Sequence, residues 1–289
     1  QRDRAARMKQ RANDLFRLLV QTTERTSRRI SSQTEELEQC REKDSLRRKA
    51  DLISANLYRI KKGDTEAVIE DFYEPDCPTV TIDLDPRLTP PQNAQRYYSA
   101  YKKACTAEKI LAEQIAAGKS ELLYLDSVLD VLTRAETEND LEQLRLELSE
   151  QGYVRAARLK GKPPKSLPPM EYVSSEGYKI LVGRNNKQND KLTLKDAEKL
   201  DIWLHTQNIA GSHVIIRAGG EEVPLKTIIE AASLAAYHSK AQTSAQVPVD
   251  YCLVKYVKKP AGAKPGMVIF SNQHTVYVTP PDDLGKYKK

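Results

Sequence analysis

Three kinds of side chain in the last 120 or so residues of this sequence could do chemistry. His205 and His213, with Asp190 or Asp201 in the same stretch, have the residue types for acid–base work or metal binding. Neither belongs to a His-x-x-x-His pair and no third ligand stands at metal spacing. Both are therefore taken as structural hydrogen-bonding groups or phosphate contacts. The second kind is cationic and amide-rich: Arg184, Asn185, Asn186, Lys187, Gln188, Asn189 and Asp190 form an unbroken polar run. With nothing apolar to bury, it should be a surface loop. Arg184, Lys187 and Arg217 would then sit on phosphates, while Asn185, Asn186, Gln188 and Asn189 offer amides to sugar or base edges. A solvated loop that merely caps a sheet is the plainer alternative. The third kind is the sole tryptophan, Trp203, which is either core or a platform for one stacked base, worth roughly 1–3 kcal/mol. Gly211-Ser212-His213 resembles a weak anion nest. Lys255, Lys258, Lys259 and Lys264 make a basic run that suits RNA and solvation equally. No Gly-rich phosphate loop, nucleophile elbow or paired catalytic carboxylate occurs, so no enzyme, metal, cofactor or small-molecule substrate is expected.

The elements that must position these groups follow from pattern. Residues 171–289 carry strands around Tyr178–Gly183, Ile202–Thr206, His213–Arg217, Tyr251–Val257, Met267–Phe270 and Thr275–Val278. One helix opens at Pro224, and a helical turn is expected at Asp196–Leu200. Strands in runs with one good helix argue an α+β domain. Ahead of it, residues 1–62 hold no proline and no glycine and bear a thin apolar stripe, stopped by Gly63. Residues 63–89 contain two alternating β-type runs around Glu74-Pro-Asp-Cys-Pro, a hairpin-sized tip. Thr89 and Pro90 start a second helix, whose seam runs through Tyr97, Ala104, Leu111, Gly118, Leu125 and Leu132 with Tyr101, Glu108, Ile115, Leu122 and Leu129; Gly118 and Glu108 spoil it. Residues 90–152 thus form a second arm, and 153–170 a basic, Pro-rich linker.

Charge separates along the chain. Residues 1–62 sum to +8, 63–152 to −11, 153–170 to +5 and 171–289 to +4, against a net +6. A basic arm facing an acidic arm favours an antiparallel coiled-coil hairpin within one chain, and sixty helical residues would span roughly 90 Å. Such a stalk would hold the C-terminal surface at a distance; a helical bundle inside a globular domain is the alternative. No apolar run reaches the roughly 20 residues of a membrane helix, and no signal peptide opens the chain. Four scattered cysteines fit a reduced, cytoplasmic setting. The start at Gln1, already inside a helical pattern, suggests the C-terminal part of a longer protein.

Several strings then carry a resemblance. They are Arg2-Asp-Arg-Ala with Met8-Lys-Gln-Arg-Ala; Leu52-Ile-Ser-Ala-Asn-Leu-Tyr-Arg-Ile-Lys-Lys-Gly; Leu84-Asp-Pro-Arg-Leu-Thr-Pro; Ser174-Ser-Glu-Gly-Tyr-Lys-Ile-Leu-Val-Gly running into Arg184–Asp190; Trp203-Leu-His-Thr; Gly211-Ser-His-Val-Ile-Ile; Val247-Pro-Val-Asp-Tyr; and Lys264-Pro-Gly-Met-Val. In this order they resemble the NFACT family, with its bacterial RqcH and eukaryotic NEMF branches, some members of which are labelled fibronectin-binding protein A. The resemblance implies that 1–62 and 90–152 are the arms of the family's coiled coil and that residues from about 171 form the NFACT-R domain, proposed to bind RNA. It implies cytoplasmic binding to the large ribosomal subunit carrying stalled peptidyl-tRNA. Partners would be rRNA and stalk-base proteins at the coil and tip, and tRNA, with alanine tailing of the nascent chain supported in the full-length protein. The family's N-terminal domain, with its Asp-Arg pair needed for tagging, and its helix-hairpin-helix domain are not expected in this stretch, so tailing itself is not carried over. Ala210 stands where the family often has proline. A cell-surface, adhesin-like fibronectin or fibrinogen binder is the alternative.

Overall fold

The computed structural model describes residues 2–155 and 167–287. The chain divides into two compact units, residues 25–119 and residues 1–24 with 120–289. Helix α1 (Arg2–Gln39) contributes to both, as does α3 (Pro90–Thr133). Most of the linker expected over 153–170 lies outside the described residues.

In the unit of residues 25–119, α1 leads through a 3₁₀ turn (Cys40–Glu42) into α2 (Lys43–Ala55), and both lie antiparallel to α3. The pairing is legible in its polar contacts. Gln33 Nε2 donates to Gln114 Oε1 at 2.6 Å, Lys43 pairs with Glu108, and Tyr98 OH donates to Asp51. The two residues that spoiled the heptad are thereby explained. Glu108 answers a lysine, and a Cβ on Gly118 would lie 2.8 Å from Ile30 Cγ1, so the backbones approach where a side chain would not fit. The helix does not run to Lys62 as expected. The Asn56 side chain donates to the Leu52 carbonyl at 3.0 Å, which removes an acceptor the helix would need, and α2 stops at Ala55. Strands β1 (Glu66–Glu70) and β2 (Thr79–Asp83) form the antiparallel hairpin. Its alternation buries Ala67 and Ile69 against Leu52, Ile53 and Ile82. Cys77 sits exposed in the turn with φ +43°.

The other unit begins with three helices. Leu15 and Leu19 of α1, Tyr124, Leu125 and Val128 of α3, and Leu141, Leu144 and Leu148 of α4 (Glu138–Glu150) share one apolar core. Each fully buried aliphatic side chain contributes roughly 1.5–3 kcal/mol. A capping box fixes where α4 begins: Asp140 N–H donates to Thr137 Oγ1 at 3.2 Å and Thr137 N–H to Asp140 Oδ2 at 2.9 Å. The α+β part follows as β3 (Met170–Val173), β4 (Lys179–Val182), α5 (Asn186–Lys191), β5 (Ile202–Thr206), β6 (Val214–Ile216), α6 (Leu225–Tyr237), β7 (Val247–Leu253), β8 (Val257–Lys258), β9 (Ile269–Phe270) and β10 (His274–Val278). Six strands form an antiparallel sheet in the order β10-β7-β5-β6-β4-β3. Helix α6 covers one face. Leu192 packs with Leu181, Trp203, Ile215 and Cys252 on the other. Burial on both faces is why β6 reads Val-Ile-Ile rather than alternating. The expected strand at Met267–Phe270 does not close this sheet; among the described residues β9 pairs only with β8. The helical turn expected at Asp196–Leu200 falls earlier, as α5 and a π-helical turn over Leu192–Asp196.

Candidate nucleic-acid interface

The polar run after β4 is not the solvent-facing loop its composition suggested. Asn185 caps α5, its Oδ1 accepting the Gln188 N–H at 2.9 Å, and the amides turn inward. Asn186 is 2 % exposed, and its Nδ2 donates to Ser127 Oγ at 3.0 Å and Glu147 Oε1 at 3.2 Å. Asn185 Nδ2 reaches Gln143 Oε1 at 2.8 Å. Gln188 Oε1 accepts the Arg184 N–H at 2.7 Å, while its Nε2 donates to the Leu167 carbonyl at 2.7 Å. Asn189 Oδ1 accepts the His213 N–H at 3.2 Å. These amides dock α5 on α3 and α4 and leave Asn186 and Asn189 no face for sugar or base. A buried polar group without such partners would cost a few kcal/mol, so the amides are there because the position is interior.

The remaining expected site residues divide similarly. Trp203 is fully buried, packed against Phe270 at 4.8 Å, His213 at 5.3 Å and His205 at 5.9 Å between ring centroids. That settles its position as core, not as an exposed platform. His213 is buried and bonds Thr193 Oγ1 through Nδ1 at 2.8 Å. Burial pushes both histidines below their ordinary pKa, His213 well below, with His205 beside it adding to the effect. Asp190 is engaged by Lys259 and by the Gly266 N–H, and Asp201 by Arg217 at 2.8 Å. Among the described residues, no group of three or more His, Cys, Asp or Glu is gathered as metal ligands. Ser212 is buried and accepts from Arg134 Nη1 at 3.1 Å, so the Gly211-Ser212-His213 turn presents no open hydroxyl. Arg217 braces the sheet through Asp201 and the Asp196 carbonyl at 2.7 Å. Lys264 lies over the rings of Tyr153 and Tyr124, at 4.8 and 5.6 Å. What stays at the surface is cationic: Arg184, Lys255 and Lys258 are exposed, and Lys187 is half-buried in an ion pair with Glu150 at 2.5 Å.

The sequence reading missed Tyr251, Tyr256 and His274. Tyr251 and His274 lie in ring contact at 5.4 Å, and Lys255 covers the Tyr256 ring at 5.0 Å. The interleaving of tyrosine and lysine from Tyr251 to Lys259 was the available signal. It also missed His238, which is buried at the C-terminal end of α6 and hydrogen-bonded to Tyr172 OH at 2.9 Å.

Burial, with the nearby charges of Arg134 and Arg184, pushes His238 down to about 3. Its folded value lies below the unfolded one of about 6.5. The unfolded state therefore binds more protons between those values, and stability rises with pH across that window. The contribution is whole above about 6.5 and is lost as pH falls toward 3. Thermal unfolding should show this: the chain loses stability between pH 7.5 and 5, and His238→Gln loses less. Equal losses in the two proteins would contradict it.

The fold and this surface define a class: paired helices with a β-hairpin, joined to an antiparallel α+β domain with surface cations. Residues 1–166 match the family profile for NFACT N-terminal and middle domains, and residues 169–272 that for the NFACT protein RNA binding domain. The chain belongs to the NFACT family. It is 43% identical over 287 residues to the Rqc2 homolog RqcH of Bacillus subtilis, covering 98% of this chain and 50% of that protein. The Streptococcus suis protein of the same name is 38% identical over 293 residues, covering 100% and 51%. The chain thus spans about half the length of the curated relatives it matches. A solved structure, the C-terminal part of the fibronectin/fibrinogen-binding protein from Streptococcus suis, superposes with a TM-score of 0.79 at 33% identity, covering 98% of this chain and 100% of that one.

Proposed function

We propose that this chain is the RNA- and ribosome-binding part of a ribosome-associated quality control factor. In this reading it acts in the cytoplasm, without catalysis of its own. The C-terminal domain contacts tRNA or rRNA, while the helices and the β1–β2 hairpin engage the large subunit that carries stalled peptidyl-tRNA. The full-length protein would then extend the stalled chain with alanine. The observation that carries the reading is a domain matching an RNA-binding family profile whose surface offers Arg184, Lys255 and Lys258. Phosphate binding by such cations releases counterions. If about six phosphates are contacted, affinity for RNA or large subunits should fall with salt at a log–log slope of about −4 to −5. The triple variant Arg184→Ala, Lys255→Ala, Lys258→Ala should flatten that slope by about 2 to 3 without changing the unfolding midpoint. A salt-independent affinity would sink the phosphate contacts.

A second reading, fibronectin or fibrinogen binding, is favoured by the name of the Streptococcus suis neighbour. Immobilised fibronectin should then retain the purified chain at physiological salt, and failure to do so would remove it.

A further inference from the structure

At one end of the C-terminal sheet, where β5 begins, β7 ends and β10 starts, lies a hollow of about 330 Å³. Ile202, Tyr251, Leu253, Tyr256, Asn272 and His274 are among its lining residues. The volume sits at the lower end of the roughly 300–1,000 Å³ of small-ligand clefts, which suits one base with its sugar. Two rings give it an aromatic floor. Tyr251 of β7 and His274 of β10 are directly opposed in register, with centroids 5.4 Å apart and planes 34° apart. Tyr251 is half-buried at the margin of the core under α6, while His274 is exposed. A cross-strand ring pair strengthens the sheet, which accounts for Tyr251 but does not use up the exposed imidazole. Asn272, in the turn before β10, is exposed as well. No hydrogen bond among the described residues occupies its side-chain amide.

Charge selects the guest. Lys255 lies over the Tyr256 ring at 5.0 Å, its N–H donates to the Lys199 carbonyl at 3.1 Å, and Lys258 follows two residues past Tyr256. All three lysines are exposed, and none is in an ion pair among the described residues. No carboxylate lines the hollow. Asp250, next to Tyr251, is buried and taken by Thr275 at 2.6 Å and by Gln207 at 3.2 Å. Open aromatic surface, a free amide and unpaired cations together complement an unstacked base flanked by phosphates. An apolar protein segment would leave the lysines uncompensated.

We propose that Tyr251 and His274 form the stacking floor for one unpaired base of a single-stranded RNA, with Asn272 at the base edge and Lys255 and Lys258 on the adjoining phosphates. The proposal deepens the RNA-binding reading and rests on it.

The test uses the full chain with dye-labelled hexauridylate, hexaadenylate and an abasic hexamer of equal phosphate count, followed by anisotropy across a salt series. His274→Ala should weaken binding of the two base-bearing strands roughly five- to fiftyfold, and His274→Phe, which keeps a ring, should stay within about twofold of the parent. Asn272→Gly suits the local φ of +54° while removing the amide, and should cost roughly three- to tenfold. The abasic strand should bind weakly and respond to neither change. Stacking carries no counterions, so His274→Ala should leave the salt slope as it was, whereas Lys255→Ala and Lys258→Ala should each reduce it by about 1. Both His274 and Asn272 are exposed, and an unchanged unfolding midpoint checks the fold of each variant. If hexamers bind with salt dependence but His274→Ala, Asn272→Gly and removal of the bases change nothing, RNA binding survives and the base site is overturned. Binding of large subunits but of no hexamer has the same meaning. Binding of neither overturns both.

Discussion

Replacing Glu147 with leucine will lower the unfolding free energy by about 2–4 kcal/mol. Glu147 is 1 % exposed on α4, and its Oε1 accepts from Tyr124 OH at 2.9 Å and from Asn186 Nδ2 at 3.2 Å. Leucine fills most of the volume but strands the tyrosine hydroxyl and takes one of two acceptors from Asn186. Each buried donor left without a partner costs about 1–3 kcal/mol. Glu147→Gln keeps an oxygen in place and should cost less than about 1 kcal/mol. The carboxyl also has a pH signature. Burial raises its pKa above the ordinary value, only partly opposed by the two hydrogen bonds. For a raised acid the stabilising contribution is whole below the unfolded value and is lost as pH rises through the folded one. The glutamine variant, which cannot ionise, should therefore gain on the parent as pH climbs from 5 to 8. Denaturant unfolding followed by Trp203 fluorescence reads both effects. A leucine variant within about 0.5 kcal/mol of the parent would show that this contact does not hold α5 to the helices.

Gly183→Ala should be comparably damaging, for a steric reason. An added Cβ would lie 2.0 Å from Asn189 Oδ1 and 3.3 Å from Asn189 Cα, so the buried asparagine must move. Its Oδ1 is what accepts the His213 N–H. Overpacking costs about 1–3 kcal/mol, and loss of that bond adds to it, giving about 2–4 kcal/mol together. The loss should be read at equilibrium in urea and accompanied by a shifted His213 ring resonance. If stability is unchanged, α5 is not pinned at Asn189 in the way described. Gly219, by contrast, has φ +62° but open space around a Cβ, so alanine there would test backbone strain alone.

These two sites also show what a sequence can reveal. The strands of the C-terminal domain were visible because alternation and β-branched runs leave a hydropathy trace, and the second long helix because Thr89-Pro90 and its leucines repeat. The amide run from Arg184 to Asp190 was misread for the same reason. Hydropathy marks amides as wet, whereas here they are interior and held by hydrogen bonds to Ser127, Gln143 and Glu147, some forty to sixty residues earlier in the chain. No local window contains that information. The sequence leaves Trp203 open between core and platform, and its burial beneath Phe270 and Leu192 on a central strand decides for core. Arg217 reads as a phosphate contact in the sequence, whereas in the fold its guanidinium is taken by Asp201. The surface cations survive as a candidate interface because lysines and exposed arginines are the residues whose sequence reading depends least on distant neighbours.

The four thiols differ sharply in what can reach them. Cys252 lies in the sheet opposite Trp203, and burial pushes its thiol up to about 11, so it stays protonated and shielded. Cys77 stands in the open turn between β1 and β2. With the partly exposed Cys40 and Cys105 replaced by serine, a maleimide fluorophore added in brief, gentle labelling will mark the hairpin and spare the sheet. Colour and anisotropy of that dye then report the moment anything lands on the hairpin, independently of what the RNA-facing domain is holding.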